Sequence, residues 1–480
     1  MHPEPFAPEI PASRWRRRSL LALSLALLVA ASTGCRTYAT KTESYRQNWR
    51  AGQVEQAAKA FSDRAENRAQ GRDAVIWRLE QGTALRAAGR YPESNRAFEI
   101  AEARMSEFEA RARVRVATEA MSAVTTPANL PYEGRAYDRI MAATYRALNY
   151  LALDQQDQAR PALLRAHQYQ QDAVAENARR IERAQQEAAQ RGHAAAIDNT
   201  RQHPQFQQRL DGLYAPLSAL QPYAEYVNPF TVWLDGVFFL AQARDFSDLE
   251  RARVSLQRSL AFNPNHPAIL ADLDACERRL RGEPLPAVTY VILENGQAPV
   301  RQQVRIDIPI VFANVSYIGT AWPVLQPQSG HLPSLAVDAH GTRHASAQIA
   351  SIDRIVARDF EDEKPAIVTR TLVSTLAKGT AAFVANQAAS QQDEGLGALV
   401  RLATLAYQAS VNIADTRTWT TLPKEFQIAR LPTPPDRRLD LVSAGHPPAR
   451  VHLEEGHVNV VYVRSVSSMA PLRISQLRLK

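Results

Sequence analysis

The sequence predicts an α+β protein of more than one domain. Its N-terminal part is an α-solenoid of stacked helix pairs, and its C-terminal part is antiparallel and β-rich with a helical insert. Three observations predict this. From Ser44 to Arg281, apolar residues recur at helical spacing in a background of Ala, Gln, Arg, Glu and Leu. Within that stretch a pattern of small, large and aromatic residues returns several times. Past Gly282-Glu283-Pro284-Leu285-Pro286, β-branched residues take over.

The chain opens with Arg14-Trp15-Arg16-Arg17-Arg18, an apolar run from Leu20 to Ala31, and Ser32-Thr33-Gly34 before Cys35. That order is a charged region, a short apolar region and a small-residue cleavage site. The apolar run falls short of the roughly 20 residues of a spanning helix. The segment resembles bacterial lipoprotein signals, although Ser32 stands where such signals usually carry Leu. The resemblance implies that residues 1–34 are removed and that Cys35 carries the lipid. Arg36, where Asp would favour the inner membrane, implies an outer-membrane anchor facing the periplasm. Several acyl chains, at about 0.8 kcal/mol per buried methylene, hold such an anchor in place. Residues 35–43 form a short linker of about 30 Å at full stretch, which keeps the folded part near the membrane.

Charge and cysteine content narrow the function classes. A net charge of +8 over 480 residues is mild, and beyond the expected signal no compact basic run with interleaved aromatics occurs, which argues against nucleic acid. With Cys35 lipidated, Cys276 has no disulfide partner, and its helical surroundings make it a small buried hydrophobe.

Residues 44–281 are read as the helical domain. Gly82, Leu85, Gly89, Tyr91, Ser94, Phe98 and Ala101 follow the tetratricopeptide spacing. Ala147, Tyr150, Ala159, Leu163 and Ala166 repeat it, as do Ala252, Leu256, Ser259 and the stop at Asn263-Pro264; Gly52, Ala57 and Phe61 make a weaker copy. Small residues let helices approach and large ones fill the remaining gap, so pairs stack and expose an extended binding face. Asn228 caps the helix that Pro229 begins. The segment at about 168–208 includes a Gln- and Arg-rich stretch, Gln168–Gln190, and is expected to form a long solvated helix or a helical hairpin, ending near Arg191-Gly192-His193.

Residues 286–480 are read as the β-rich domain. Strands are expected at Val288–Leu293 and Val304–Phe312, with a hairpin turn at Asn295-Gly296 after the first. His340-Gly341 is a further turn. Helices are expected at about 365–389, begun by Pro365, and at about 396–408, with Asp359, Glu361, Asp362 and Glu363 as a solvated capping cluster. Further strands are expected at Thr416–Thr421, Phe426–Ala429, Arg438–Val442, Val451–Leu453, Val458–Val463 and Leu472–Leu477.

No constellation reads as catalytic. His331, His340 and His344 lack a helix that would converge them on a metal, and there is no nucleophile elbow, phosphate loop or Cys-x-x-Cys. No cofactor and no metal is expected. Asp415 and Arg417 are expected to form an ion pair on one strand face.

Four segments carry a wider resemblance: Pro131-Tyr132-Glu133-Gly134 with Asp138-Arg139 and Ala147–Tyr150; Asn228-Pro229-Phe230 with Gly236; Tyr290–Glu294 with Ile308-Pro309; and Asp415–Trp419 with Leu422-Pro423. On these the chain resembles a family of uncharacterised bacterial lipoproteins with tetratricopeptide repeats and a C-terminal β-rich domain. Members are often encoded near lipoproteins that activate cell-wall synthases, so the resemblance implies a role close to that machinery. The expected function is a non-enzymatic scaffold that binds envelope proteins or peptides on its repeat surface, with Tyr132, Glu133, Arg139 and Tyr145 as exposed contact residues. The rival expectation is an envelope glycan-binding module or enzyme built on the helical insert and Asp415–Trp419. It requires a deep pocket with convergent polar groups and perturbed carboxylates. A third is an assembly subunit of a secretion or surface-polymer system.

Overall fold

A computed structural model describes residues 38–118, 127–312, 315–390 and 413–480; the side chains of 112–118, 307–312, 315–319 and 378–390 are excepted. Cys35, the expected signal at 1–34 and the expected helix at 396–408 lie outside the described residues.

The helical part runs α1 (Tyr38–Arg50), α2 (Val54–Asn67), α3 (Ala74–Ala87), α4 (Tyr91–Thr118), α5 (Ala136–Ala152), α6 (Gln156–Gln190), α7 (Ala194–Gln202), α8 (Pro204–Tyr214), α9 (Pro229–Ala241), α10 (Phe246–Phe262) and α11 (Pro267–Leu280). Helices adjacent in sequence pack together, as the small-residue pattern requires. At Gly82 of α3 an added Cβ would lie 2.5 Å from the Phe98 ring of α4, and at Gly236 of α9 it would lie 2.8 Å from Leu256 of α10. Glycine is the residue that permits both approaches. The Asn228 side chain accepts from the Thr231 backbone N–H at 3.3 Å, so α9 begins with the expected cap and Pro229. The long polar helix is real, but it is not a solvated projection. Ala159, Leu163, Ala166, Gln170, Ala173, Arg180, Ala184 and Ala188 form a buried stripe of mostly small residues along α6, which packs on α5 and on the helix of the C-terminal part. Alanine escapes a reading that counts large apolar residues.

The C-terminal part contains β1 (Val288–Asn295), β2 (Val300–Phe312), β3 (Val315–Gln326), β4 (Ala336–Ala339), β5 (Thr342–Ala345), β6 (Ala347–Ser351), α12 (Ile352–Ser390), β7 (Glu425–Pro432), β8 (Arg438–Val442), β9 (Ala449–His452), β10 (Val458–Ser465) and β11 (Arg473–Arg478). The main sheet has the order β11-β10-β1-β7-β6, and its central β1–β10 pair is parallel, so the domain is mixed rather than antiparallel. Every residue of β1 and β10 is buried. Burial of both faces explains their unbroken apolar runs. One face of the sheet, through Tyr290, Phe426 and Val460, joins a core that continues into Trp49, Trp77, Phe98, Tyr145 and Phe230 of the helices. The rings of Phe230 and Phe426 stack with centroids 3.9 Å apart. The other face, through Val291, Leu293, Ala429 and Val461, packs on the sheet β5-β4-β8-β9.

Three expectations are corrected. Asn295-Gly296 does not fold β2 back onto β1. Gly296 turns the chain at φ 67°, its N–H donates to the Ser465 carbonyl, and β2 pairs with β3 in a separate two-stranded sheet. The helix expected from Pro365 begins at Ile352, with Pro365 inside it. Proline in a helix forfeits one backbone bond; Pro365 lies at an exposed position of α12. Thr416–Thr421 is not a strand. The Thr420 and Thr421 backbone N–H groups donate instead to the buried Glu80 carboxylate of α3, at 2.7 and 3.0 Å. The His340-Gly341 turn, with both residues at positive φ, lies where it was expected.

Candidate ligand cleft between the helical part and α12

The four residues expected to be exposed are mostly interior. Tyr132, Arg139 and Tyr145 are 3 %, 6 % and 0 % exposed. The Tyr145 hydroxyl donates to Glu294 at 2.7 Å, and its ring packs on Phe98 and Trp419. Arg139 pairs with Glu109 at 3.2 Å. The Tyr132 hydroxyl donates to Asp138 at 2.5 Å and accepts from Arg135 at 2.6 Å. Only Glu133 is partly open, paired with Arg183 at 3.1 Å. Tyr132 and Tyr145 are covered by the chain's own C-terminal part, through Arg417, Glu294 and Trp419, whereas Arg139 is covered by the neighbouring helices, through Glu109, Glu176 and Tyr169.

Tyr132, Glu133 and Arg135 nevertheless border a cavity. It is a cleft of about 930 Å³, open mouth included, between the Pro127–Arg135 segment, α12, β3 and residues 413–417. Five arginines (Arg135, Arg180, Arg301, Arg370 and Arg417) and three carboxylates (Glu133, Glu363 and Asp415) line it. Most of these charges cancel locally. Glu363 accepts from Arg301 at 2.6 Å and from Arg135 at 3.3 Å. Asp415 accepts from Arg417 at 2.7 Å, so that ion pair forms as expected, and Arg417 also reaches Asp73 at 3.2 Å and the Leu130 carbonyl at 2.7 Å. Arg180 donates to Glu176 at 2.7 Å and to the Gly134 carbonyl.

Below this layer lies Asp359, one turn before Glu363 on α12. It accepts from Tyr226 at 3.2 Å, and its second oxygen, Oδ2, has no hydrogen bond, although Arg135 lies 3.8 Å from it. Burial, reinforced by the adjacent Glu363 charge, pushes the Asp359 carboxyl up to about 7. Burial acts on Glu363 in the same direction, but Arg301, Arg135 and Arg180 outweigh it and hold that carboxyl well below the usual range. The pair is one proton reservoir shared unequally. The acidic cluster is therefore split: Asp359 is buried and Glu363 is nearly so, and neither is a solvated cap.

Two donors on the α12 wall are unused. Arg370 Nε and Ser374 Oγ are buried atoms without a hydrogen-bond partner, and both residues line the cleft. Four residues apart on one helix, they share a face. An orphaned buried donor costs free energy until something accepts from it.

Among the described residues no group of His, Cys, Asp and Glu could hold a metal ion, and His340 sits in the β4–β5 turn. Cys276 is free and buried, and burial pushes its thiol up to about 11, as suits a packing residue. Sequence reasoning found the Asp415–Arg417 pair and the helical insert. It missed Arg135, Arg180, Arg301 and Arg370; the spacing of Asp359 and Glu363, four apart on a helix, was the available signal. No family model matches the chain, and neither a curated protein nor a solved structure does.

Proposed function

We propose that this protein is a non-enzymatic scaffold of the cell envelope, tethered by lipid on Cys35, that holds a segment of an envelope protein in the cleft beside α12. The observation that carries this reading is the pair of unused donors, Arg370 Nε and Ser374 Oγ, on the cleft wall. A peptide brings the carbonyl and carboxylate oxygens that such donors need, while Pro131, Pro323 and Ile367 offer it apolar contact. Asp359, the carboxyl titrating near neutrality, does not line the cleft, which favours binding over acid–base chemistry. The tetratricopeptide reading of the helix pairs is supported by the close approaches at Gly82 and Gly236. Because the inner side of those pairs meets Trp419 and Thr420, the docking site moves from Tyr132, Arg139 and Tyr145 to the cleft.

The test is a photo-crosslinking residue at Glu133, on the cleft rim, in the full chain in its membrane, with Arg343 of β5, exposed on another sheet, as the control position. A defined envelope-protein adduct at 133, absent at 343 and reduced at least about fivefold by Arg370→Glu, is the expected result. Identical adducts at both positions, no protein adduct, or indifference to Arg370→Glu overturns it. Cys35→Ala tests the tether: palmitate label and membrane fractionation should both be lost.

A further inference from the structure

A second cavity also carries more positive than negative side chains. It measures about 720 Å³, mouth included, and lies between the end of α3, the start of α4, and the β10–β11 edge of the main sheet. Arg86, Arg464 and Arg473 line it, with Glu55 and Glu294. Arg86, Arg464 and Glu294 are 6 %, 4 % and 3 % exposed, while Glu55 is exposed. Two buried guanidiniums thus share one buried carboxylate.

Glu294 is already committed. One oxygen accepts from Tyr145 at 2.7 Å and lies 3.3 Å from Arg464 Nε, an ion-pair distance without hydrogen-bond geometry; the other accepts from Tyr462 at 2.6 Å. Arg86 donates to the neutral Asn149 at 2.8 Å and lies over the Tyr462 ring at 4.5 Å. Its Nε is buried without a hydrogen-bond partner, and so is that of Arg464, whose terminal nitrogens donate to the Glu294, Ser465 and Thr421 carbonyls. Arg473 stands directly opposite Arg464 in the antiparallel β10–β11 register, so the two side chains share a face. It has no ion pair or hydrogen bond among the described residues. Like charges directly opposite on neighbouring strands repel, and a buried charge without a counterion is costly.

We propose that this cavity is an anion site in which Arg86, Arg464 and Arg473 converge on one oxyanion, the carboxylate or phosphate group of a small ligand. Arg473 offers a free planar fork that suits either group, Arg86 and Arg464 add positive charge behind it, and Tyr91, Tyr462 and Ile474 form the wall for the rest of the molecule. The site is independent of the cleft beside α12, and its test separates the two.

The experiment uses the full-length protein in detergent at constant ionic strength. Inorganic phosphate, acetate and chloride are each titrated, and binding is read by calorimetry and by the thermal midpoint. Phosphate or acetate is expected to bind and raise the midpoint more than chloride does, and the stronger of the two identifies the ligand's head group. Arg473→Gln, at an exposed edge position, should weaken that binding at least about tenfold. Arg473→Glu supplies a carboxylate opposite Arg464; it should raise the ligand-free midpoint above that of Arg473→Gln and remove the response to anions. Arg370→Gln, in the other cleft, should leave the response unchanged. The proposal is overturned if neither oxyanion exceeds chloride, if Arg473→Gln responds as the wild type does, or if the response follows Arg370 instead.

Discussion

Asp359 shows how one side chain sets a pH dependence. Its folded-state carboxyl is raised to about 7 by burial and by Glu363, against an ordinary value near 4 in the unfolded chain. Between those values the folded state binds the extra proton, so stability falls as pH rises through that window and levels off above it. Asp359→Asn should flatten this slope between about pH 4 and 7, measured as the urea midpoint at each pH. An unchanged slope would show that the proton is held elsewhere. At this scale legibility follows chain separation. Asp415 and Arg417, two residues apart, are readable as a pair from their spacing. Arg135 and Glu363, brought together at 3.3 Å across 228 residues, are not, because nothing local to either names the other.

Among the elements, the tightest sequence-visible constraint is the crossing of α3 and α4. Gly82→Ala drives a methyl into the Phe98 ring, which is fully buried and held by Tyr145 and Trp419. The ring has little room to yield, so the substitution should cost about 1–3 kcal/mol, read as a lowered thermal midpoint. Gly89→Ala, at positive φ but with open space around it, should cost only about 1 kcal/mol of backbone strain. If the two cost the same, the close approach is not what selects glycine at 82. The pattern of small and large residues was legible here because packing partners are neighbours in sequence. It failed at α12 and at Thr416–Thr421 for opposite reasons. Pro365 marks a helix start only where the preceding turn is free to unwind, and Asp359 and Glu363 are held in that turn by Arg135 and Arg301. The β-branched run at 416–421 spends its backbone donors on Glu80 rather than on a strand.

For the molecule as a whole, the composition break at 282–286 separates two kinds of secondary structure but not two cores. Trp419 donates to Thr83 at 2.9 Å, Phe230 stacks on Phe426, and Asp272 of α11 pairs with Arg430 of β7 at 2.7 Å. Neither part can shed the other without exposing these groups. Calorimetry should therefore give one unfolding transition, with calorimetric and van't Hoff enthalpies in agreement. Residues 44–281 produced alone should expose apolar surface and bind a hydrophobic dye. Two resolved transitions, or a soluble and cooperative fragment, would contradict this. The sequence separates the helical and β-rich parts correctly and is silent on their fusion, because a buried aromatic residue looks the same whichever part it packs against.

The parallel pairing of β1 with β10 has a consequence in time. Val288 meets Val458, so the middle of the main sheet stays open until about 170 further residues have emerged from the ribosome or from an export channel. Contacts that close so late slow the final assembly. A newly delivered chain would spend that interval with the β10 side of β1 unpaired, and a holdase that shields Val288–Asn295 should raise the yield of native protein more than faster synthesis would.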